Sequence, residues 1–151
     1  MRKYSWLLVG VLLMAMGCKP ATMNKKMAYT DSACTLATAI SLDEVPVDKF
    51  DLAKTKTIEV AEALKAVLGT GSLASLPVRD VRFALNDVLI QKNWQDYIFI
   101  VDAILQYVQA QNVDVNIIGV EGVKLIGIGL DAVIESATRC QKEFTVGKRR
   151  R

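Results

Sequence analysis

The sequence lacks histidine altogether and contains only three cysteines and three prolines. Without histidine, the chain has neither the commonest general base nor the commonest nitrogen ligand for metals. It also lacks the GxSxG, HExxH, phosphate-loop and DxDxDG patterns. No CxxC pair is present for zinc or redox chemistry. The sequence therefore predicts a protein that is not an enzyme and that carries no metal or cofactor.

A basic stripe of the kind that binds nucleic acid is also missing. Lysine and arginine number 19 against 16 acidic residues, and four of the basic residues are consecutive at Lys148, Arg149, Arg150 and Arg151. The positive charge is therefore concentrated in a tail, whereas a nucleic-acid interface clusters basic residues on a folded element. We expect no nucleic-acid partner, and we expect the four tail residues to contact anionic lipid at a membrane surface.

The longest uninterrupted apolar run, Trp6 to Met16, has 11 residues, whereas a helix that spans a bilayer needs about 20. Arg2 and Lys3 precede this run, and Gly17 and Cys18 follow it. A short positive segment, an apolar segment and a small residue in this order are typical of an export signal. The sequence thus predicts that residues 1–17 are a signal peptide.

Residues Ala15 to Cys18 (AMGC) resemble the lipobox of bacterial lipoproteins. The resemblance implies cleavage before Cys18, a diacylglyceryl group on its sulfur, and an acyl chain such as palmitate on its amino group. In that class an Asp after the cysteine holds the protein at the inner membrane. Lys19 at this position implies the outer membrane, facing the periplasm. The alternative is an ordinary cleaved signal in which Cys18 is an unmodified thiol.

The segment after Cys18 is polar and rich in lysine. We interpret residues 18–29 as a lipid anchor and tether, with Lys19, Lys25 and Lys26 near anionic headgroups. The predicted organisation is completed by a helical domain over residues 30–145 and a basic tail over 146–151.

Lipidation of Cys18 would leave Cys34 and Cys140 as a pair. Exported proteins form disulfides where cytosolic proteins do not, so we predict a bridge between these two residues. The alternative is two buried free thiols, which are common in protein cores.

Apolar residues repeat at intervals of three and four along most of residues 57–144, which predicts helices. One helix begins at Thr57, the next near Pro77, and a third after Asn93, which we expect to be its N-cap. Because this third helix is apolar around most of its circumference, we expect it to be central.

A narrow polar stripe predicts one long helix over residues 115–144. There are two alternatives. Residues 113–118 could form a strand, and residues 117–134 are apolar enough to suggest a second membrane segment. Upstream we predict a short helix over residues 31–41. Residues 42–56 would be a connection whose Val45, Val47, Phe50 and Leu52 enter the core. The predicted fold class is all-α, a compact bundle of four to five helices.

These features predict a lipid-anchored protein of the cell envelope that acts by binding. We expect a non-enzymatic protein-binding factor or accessory and assembly factor, in which a groove between helices receives an envelope protein. The alternative is an exclusion or immunity lipoprotein, encoded by a phage or mobile element, that blocks an envelope receptor. An envelope enzyme is a third possibility, which the missing histidine disfavours.

Overall fold

The computed structural model describes residues 22–111 and 113–142. This part of the chain contains five α-helices and no β-strand, and the all-α prediction is confirmed. The helices are α1 (Met23–Asp43), α2 (Val47–Leu68), α3 (Val78–Gln91), α4 (Ile98–Gln109) and α5 (Gly119–Arg139), and a 3-10 turn (Gln95–Tyr97) precedes α4.

Helix α5 is parallel to α1. Lys26 Nζ lies 2.6 Å from Glu121 Oε1 in the first turns of the two helices. Near their other ends, Ser136 Oγ donates to the backbone oxygen of Thr35 at 2.9 Å. Residue numbers therefore rise together along the contact. The two helices start at the same end of the bundle.

Helix α2 runs antiparallel to α5 along another side of it. Lys65 pairs with Asp131, and Lys54 Nζ donates to the backbone oxygen of Cys140 at 2.9 Å. Because α5 also packs against α4, it contacts three of the other helices. The last helix therefore organises the bundle, although we expected the helix after Asn93 to be central. That helix, α4, is nevertheless largely inside, with seven of its twelve residues buried.

The bundle has two ends, which we call the near end and the far end. The near end contains Met23 and Gly119, where α1 and α5 begin, and the far end contains Asp43, Val47 and Arg139. A helix of 21 residues is about 31 Å long at 1.5 Å per residue, so the two ends are about 30 Å apart.

Helix α1 begins at Met23, eight residues before the predicted start at Asp31. The prediction that residues 23–29 belong to a tether was therefore wrong. Thr22 caps the helix by accepting a hydrogen bond from Lys25 N at 3.4 Å, and Met27 packs against the core. The predicted boundaries at residues 17 and 146 lie outside the described residues.

Residues 47–56 belong to α2 and are not the predicted connection. Pro46 is the N-cap of this helix, so the helix starts ten residues before Thr57. Phe50 and Val45 are buried as expected, but Val47 is 50% exposed and Leu52 is 71% exposed. Leu52 was wrongly assigned to the core because it lies off the helical face that contains Phe50.

Asn93 ends α3 and does not cap α4. It has a left-handed φ of 60°, and the next amide, Trp94 N, donates to Leu89 O at 2.7 Å. This is the geometry of a Schellman motif, in which Asn sometimes replaces Gly. Helix α4 starts later, at Ile98.

The predicted long helix over residues 115–144 is shorter in the structure, where α5 spans Gly119–Arg139, and residues 113–118 precede it as a loop. Val78 N donates to Val115 O at 3.0 Å, and Ile118 N donates to Leu76 O at 2.9 Å. The segment is thus held by backbone pairing to the loop before α3, although neither side forms a strand. Among the described helices, none is long and apolar enough to cross a membrane, including the part of residues 117–134 that is helical.

Candidate functional site

The far end of the bundle has an open groove of about 500 Å³. It lies between the start of α2 and the start of α4, and its lining is Val45, Pro46, Lys49, Leu52, Ala53, Asp96, Tyr97 and Phe99. The volume falls within the range of binding clefts, which is roughly 300–1,000 Å³. This groove is the described opening best suited to receive part of a partner molecule.

Two chain reversals place the groove walls. Pro46, with an extended ψ of 146°, separates α1 from α2 and sets the first turn of α2 at the far end. The left-handed Asn93 reverses the chain after α3, so that the 3-10 turn brings Tyr97 opposite that first turn. Both walls are therefore fixed by local backbone geometry.

The groove combines apolar and aromatic surface. The rings of Tyr97 and Phe99 are stacked with centroids 6.3 Å apart and planes inclined by 26°. Both rings are half-buried, whereas Leu52 projects into solvent from the opposite wall. Such a surface favours an apolar side chain over a strongly hydrated ligand.

Charged and polar groups frame the apolar surface. Lys49 and Asp96 supply one cationic and one anionic group to the lining. Burial raises the pKa of the Tyr97 hydroxyl above its ordinary value, and the carboxylates of Asp96 and Glu59 raise it further. Tyr97 is therefore a neutral group at physiological pH that can donate or accept a hydrogen bond at the groove.

A second, smaller opening of about 220 Å³ lies on the other side of the α2 start. Phe50, Lys54 and Cys140 line it. Lys142 Nζ lies 5.7 Å from the centre of the Phe50 ring, and the same ammonium donates to Val45 O. These contacts fix the chain end that follows α5 beside the opening.

The predicted disulfide between Cys34 and Cys140 is absent, and both residues are free thiols. Cys34 faces Gly129, where an added Cβ would lie 3.1 Å from Cys34 Sγ. Cys140 follows Gly129 by eleven residues, which is about 16 Å along a helix. A disulfide requires α-carbons within about 7 Å. The two residues therefore lie at different levels of the bundle.

Two of the residues predicted to contact a membrane, Lys25 and Lys26, lie among the described residues. Lys25 is exposed in the first turn of α1, whereas the side chain of Lys26 is 16% exposed and paired with Glu121. Cys18, Lys19, Lys148, Arg149, Arg150 and Arg151 lie outside the described residues.

Sequence reasoning did not identify the groove. It assigned Leu52 to the core, and it treated the whole helix after Asn93, which would include Tyr97 and Phe99, as apolar and central. One signal was available, because Leu52 falls out of the register of Phe50, Ala53 and Thr57. The approach of the α2 start to Tyr97 and Phe99 across the groove joins segments far apart in the sequence, and no local pattern specifies it.

Among the described residues, no group of three or more acidic or cysteine side chains is placed to hold a metal ion. Asp131 and Glu135 are exposed, and each pairs with a basic neighbour, Lys65 and Arg139 respectively. These carboxylates are arranged as parts of ion pairs.

No protein family, curated protein or solved structure matches this chain.

Proposed function

We propose that this chain is a lipid-anchored lipoprotein of the bacterial cell envelope that binds a protein partner through the far-end groove. It would act as a non-enzymatic accessory or assembly factor. The position of the groove is the observation that carries the proposal. The groove lies about 30 Å along the bundle from the near end, where α1 begins.

This position suits a membrane-attached binding protein. An anchor at Cys18 would hold the near end at the bilayer, because residue 18 precedes the first turn of α1 by only five positions. The groove at the far end would then face away from the membrane. A partner in the envelope space could reach it without displacing lipid.

The chemistry of the groove favours a protein segment with an apolar anchor residue. Protein interfaces concentrate binding energy in a few apolar or aromatic residues surrounded by polar groups. The Tyr97 and Phe99 rings with Leu52 supply the apolar centre, and Lys49 with Asp96 supplies the polar surroundings. The opposite charges of Lys49 and Asp96 would fix the direction of a bound segment.

Site-specific photocrosslinking in the native host tests this function. A benzophenone amino acid would replace Leu52 in the groove or, as the control, Leu36, which is 44% exposed on α1. We expect one discrete crosslinked envelope protein from position 52 and none from position 36. Purified partner should bind the Leu52→Asp variant at least about tenfold more weakly, because an ionised group would enter an apolar contact.

The identity of the crosslinked protein separates the alternatives. An assembly or secretion component supports the accessory function, and a surface receptor supports the exclusion or immunity function. Equal crosslinking from both positions, or wild-type affinity in Leu52→Asp, would exclude the groove as the binding site.

The membrane attachment has its own test. Intact mass spectrometry of the membrane fraction should show loss of residues 1–17 and addition of diacylglyceryl and acyl groups to Cys18. A Cys18→Ala variant should remain unprocessed or leave the membrane. An unmodified Cys18 in the exported protein would contradict lipidation.

A further inference from the structure

The near end of the bundle carries a cluster of exposed aliphatic side chains. Val115 is 55% exposed, Ile117 is 56% exposed and Val120 is 78% exposed. These three belong to the eight exposed large hydrophobic residues of the described chain, and they fall within six consecutive positions. We call them the aliphatic cluster. Their concentration in one segment distinguishes them from singly scattered surface hydrophobics.

The aliphatic cluster lies where the chain enters the bundle. Val120 is in the first turn of α5, and the next residue, Glu121, is paired with Lys26 in the first turn of α1 at 2.6 Å. All residues before Thr22 therefore connect to the bundle beside this cluster. Any attachment of those residues to a bilayer would bring the cluster to its surface.

The backbone holds these side chains outward. Between Ile117 and Val120, Ile118 is 2% exposed and packs into the core. Its amide donates to Leu76 O at 2.9 Å, and the amide of Gly119 donates to Ala74 O at 2.9 Å. The segment is therefore fixed to the neighbouring loop, and its outward residues cannot turn inward without breaking these bonds.

Charged groups of both signs surround the cluster. Lys25 and Lys124 are exposed in the first two turns of α1 and α5. The nearest carboxylate on α5, Glu121, is paired with Lys26, and Asp114 Oδ1 accepts the backbone N–H of Asn116 at 2.8 Å. The near end therefore carries the exposed ammonium groups of Lys25 and Lys124, which can meet lipid phosphates, together with the exposed carboxylates of Asp114 and Glu121.

We propose that the near end is a membrane-contact face, in which the aliphatic cluster enters the boundary between headgroups and acyl chains. Lys25 and Lys124 contact lipid phosphates beside it. This inference rests on the proposed membrane attachment and adds the face that meets the lipid. It orients the long axis of the bundle along the membrane normal, so that the groove at the far end projects away from the bilayer.

Quenching of tryptophan fluorescence by brominated lipids tests this contact. Full-length Val120→Trp protein, purified from membranes, would be reconstituted into phosphatidylethanolamine–phosphatidylglycerol vesicles with or without bromine on the acyl chains. The matched control is Leu52→Trp, at an exposed position of the far end. Wild-type protein, with Trp94 after α3 and with Trp6 if residues 1–17 are retained, sets the background.

We expect brominated lipid to reduce the added emission of Val120→Trp about twofold or more, since interfacial side chains reach about 5–10 Å into the acyl boundary. Emission from Leu52→Trp should match the background change. Ile117→Trp provides a second probe of the cluster if Val120→Trp does not fold, and circular dichroism checks each variant.

Equal quenching at the two ends would overturn the proposal. Absence of quenching at Val120→Trp and Ile117→Trp together with a stable dimer would assign the cluster to a second copy of the chain instead. The mass of Cys18 in the same preparation reports lipidation separately. A lipidated protein without quenching therefore contradicts only the contact face, and an unlipidated protein contradicts only the anchor.

Discussion

Gly129 sets how closely the helices around α5 approach one another. A Cβ at this position would lie 3.1 Å from Cys34 Sγ and 3.2 Å from Ile104 Cγ2. Both distances are shorter than ordinary van der Waals contact. Glycine at this position therefore permits α1 and α4 to pack against α5, and this contact compensates for the low helix propensity of glycine.

Comparison of Gly127→Ala with Gly129→Ala should separate the effect of helix propensity on stability from the effect of close packing. At Gly127, a Cβ would meet only Leu68 Cδ1, at 3.9 Å, so alanine should stabilise the protein by about 0.5–1 kcal/mol. At Gly129 the same gain is opposed by displacement of Cys34 and Ile104. In urea unfolding, we expect the free energy of unfolding of Gly129→Ala to be at least about 1 kcal/mol lower than that of Gly127→Ala. Equal stabilisation by both substitutions would contradict the close approach.

The two described cysteines should differ in reactivity. Cys34 is fully buried, and burial raises the pKa of its thiol well above the ordinary value, with a further contribution from Asp31. Cys140 is half-exposed at the end of α5. Since the thiolate is the reactive form, N-ethylmaleimide should modify Cys140 in the folded protein and both residues only after unfolding. Denaturant alone, without a reductant, should make Cys34 available for modification. A Cys34–Cys140 pair in a non-reducing peptide map would contradict this prediction.

At the scale of the helices, apolar periodicity predicted the elements that have large aliphatic faces. In α3, which was predicted to begin near Pro77, the apolar residues at intervals of four include Val81, Leu85 and Leu89, and all three are buried. The polar stripe of α5 was also predicted, and Glu121 and Asp131 are exposed as expected. In both helices, local spacing and final burial coincide because the side chains are large enough to create a clear pattern.

Helix α1 was underestimated because its buried face is made of small and hydroxylated residues. The buried positions are Thr30, Ala33, Cys34, Ala37, Thr38, Ser41 and Leu42. Thr30 and Thr38 satisfy their hydroxyls by donating to the backbone oxygens of Lys26 and Cys34, four residues earlier. Such residues can be buried against α5 without a strong apolar signal, so sequence alone did not identify the full helix.

Three backbone amides at the near end should resist hydrogen exchange although their hydrogen bonds are not part of a helix or a strand. The amides of Val78, Ile118 and Gly119 donate to backbone oxygens across the two loops. We expect them to exchange at least about tenfold more slowly than the amide of Asn116, whose acceptor is the exposed side chain of Asp114. Nuclear magnetic resonance of the folded protein measures these rates. Rates equal to that of Asn116 would mean that the loops open independently.

At the scale of the whole molecule, the first and last described residues of the bundle lie at its opposite ends. Residues before Thr22 join the near end, whereas Lys142, the last described residue, contacts Val45 at the far end. Lys148 follows Lys142 by six residues, so it lies within at most about 21 Å of it. This reach is shorter than the distance of about 30 Å back to the near end. The α-carbon of Lys148 therefore cannot reach a bilayer that holds the near end, whereas Arg151, nine residues after Lys142, could reach it only through a fully extended chain.

If the basic tail binds anionic lipid, it would reach a second surface at the far end with less extension of the chain than the bilayer at the near end requires. We predict that full-length protein reconstituted in vesicles containing phosphatidylglycerol clusters those vesicles at low salt, because Lys148 to Arg151 bind a neighbouring vesicle. Dynamic light scattering should show clusters that disperse as salt rises from about 0.05 to 0.5 M, since ions screen exposed charges.

Deletion of residues 148–151 should abolish clustering and leave the protein attached to its own vesicle. Replacement of Lys25 and Lys124 by glutamine is the matched control, since it removes cations from the near end only and should leave clustering unchanged. Clustering that persists after the deletion, or that is absent at low salt, would exclude this function of the tail.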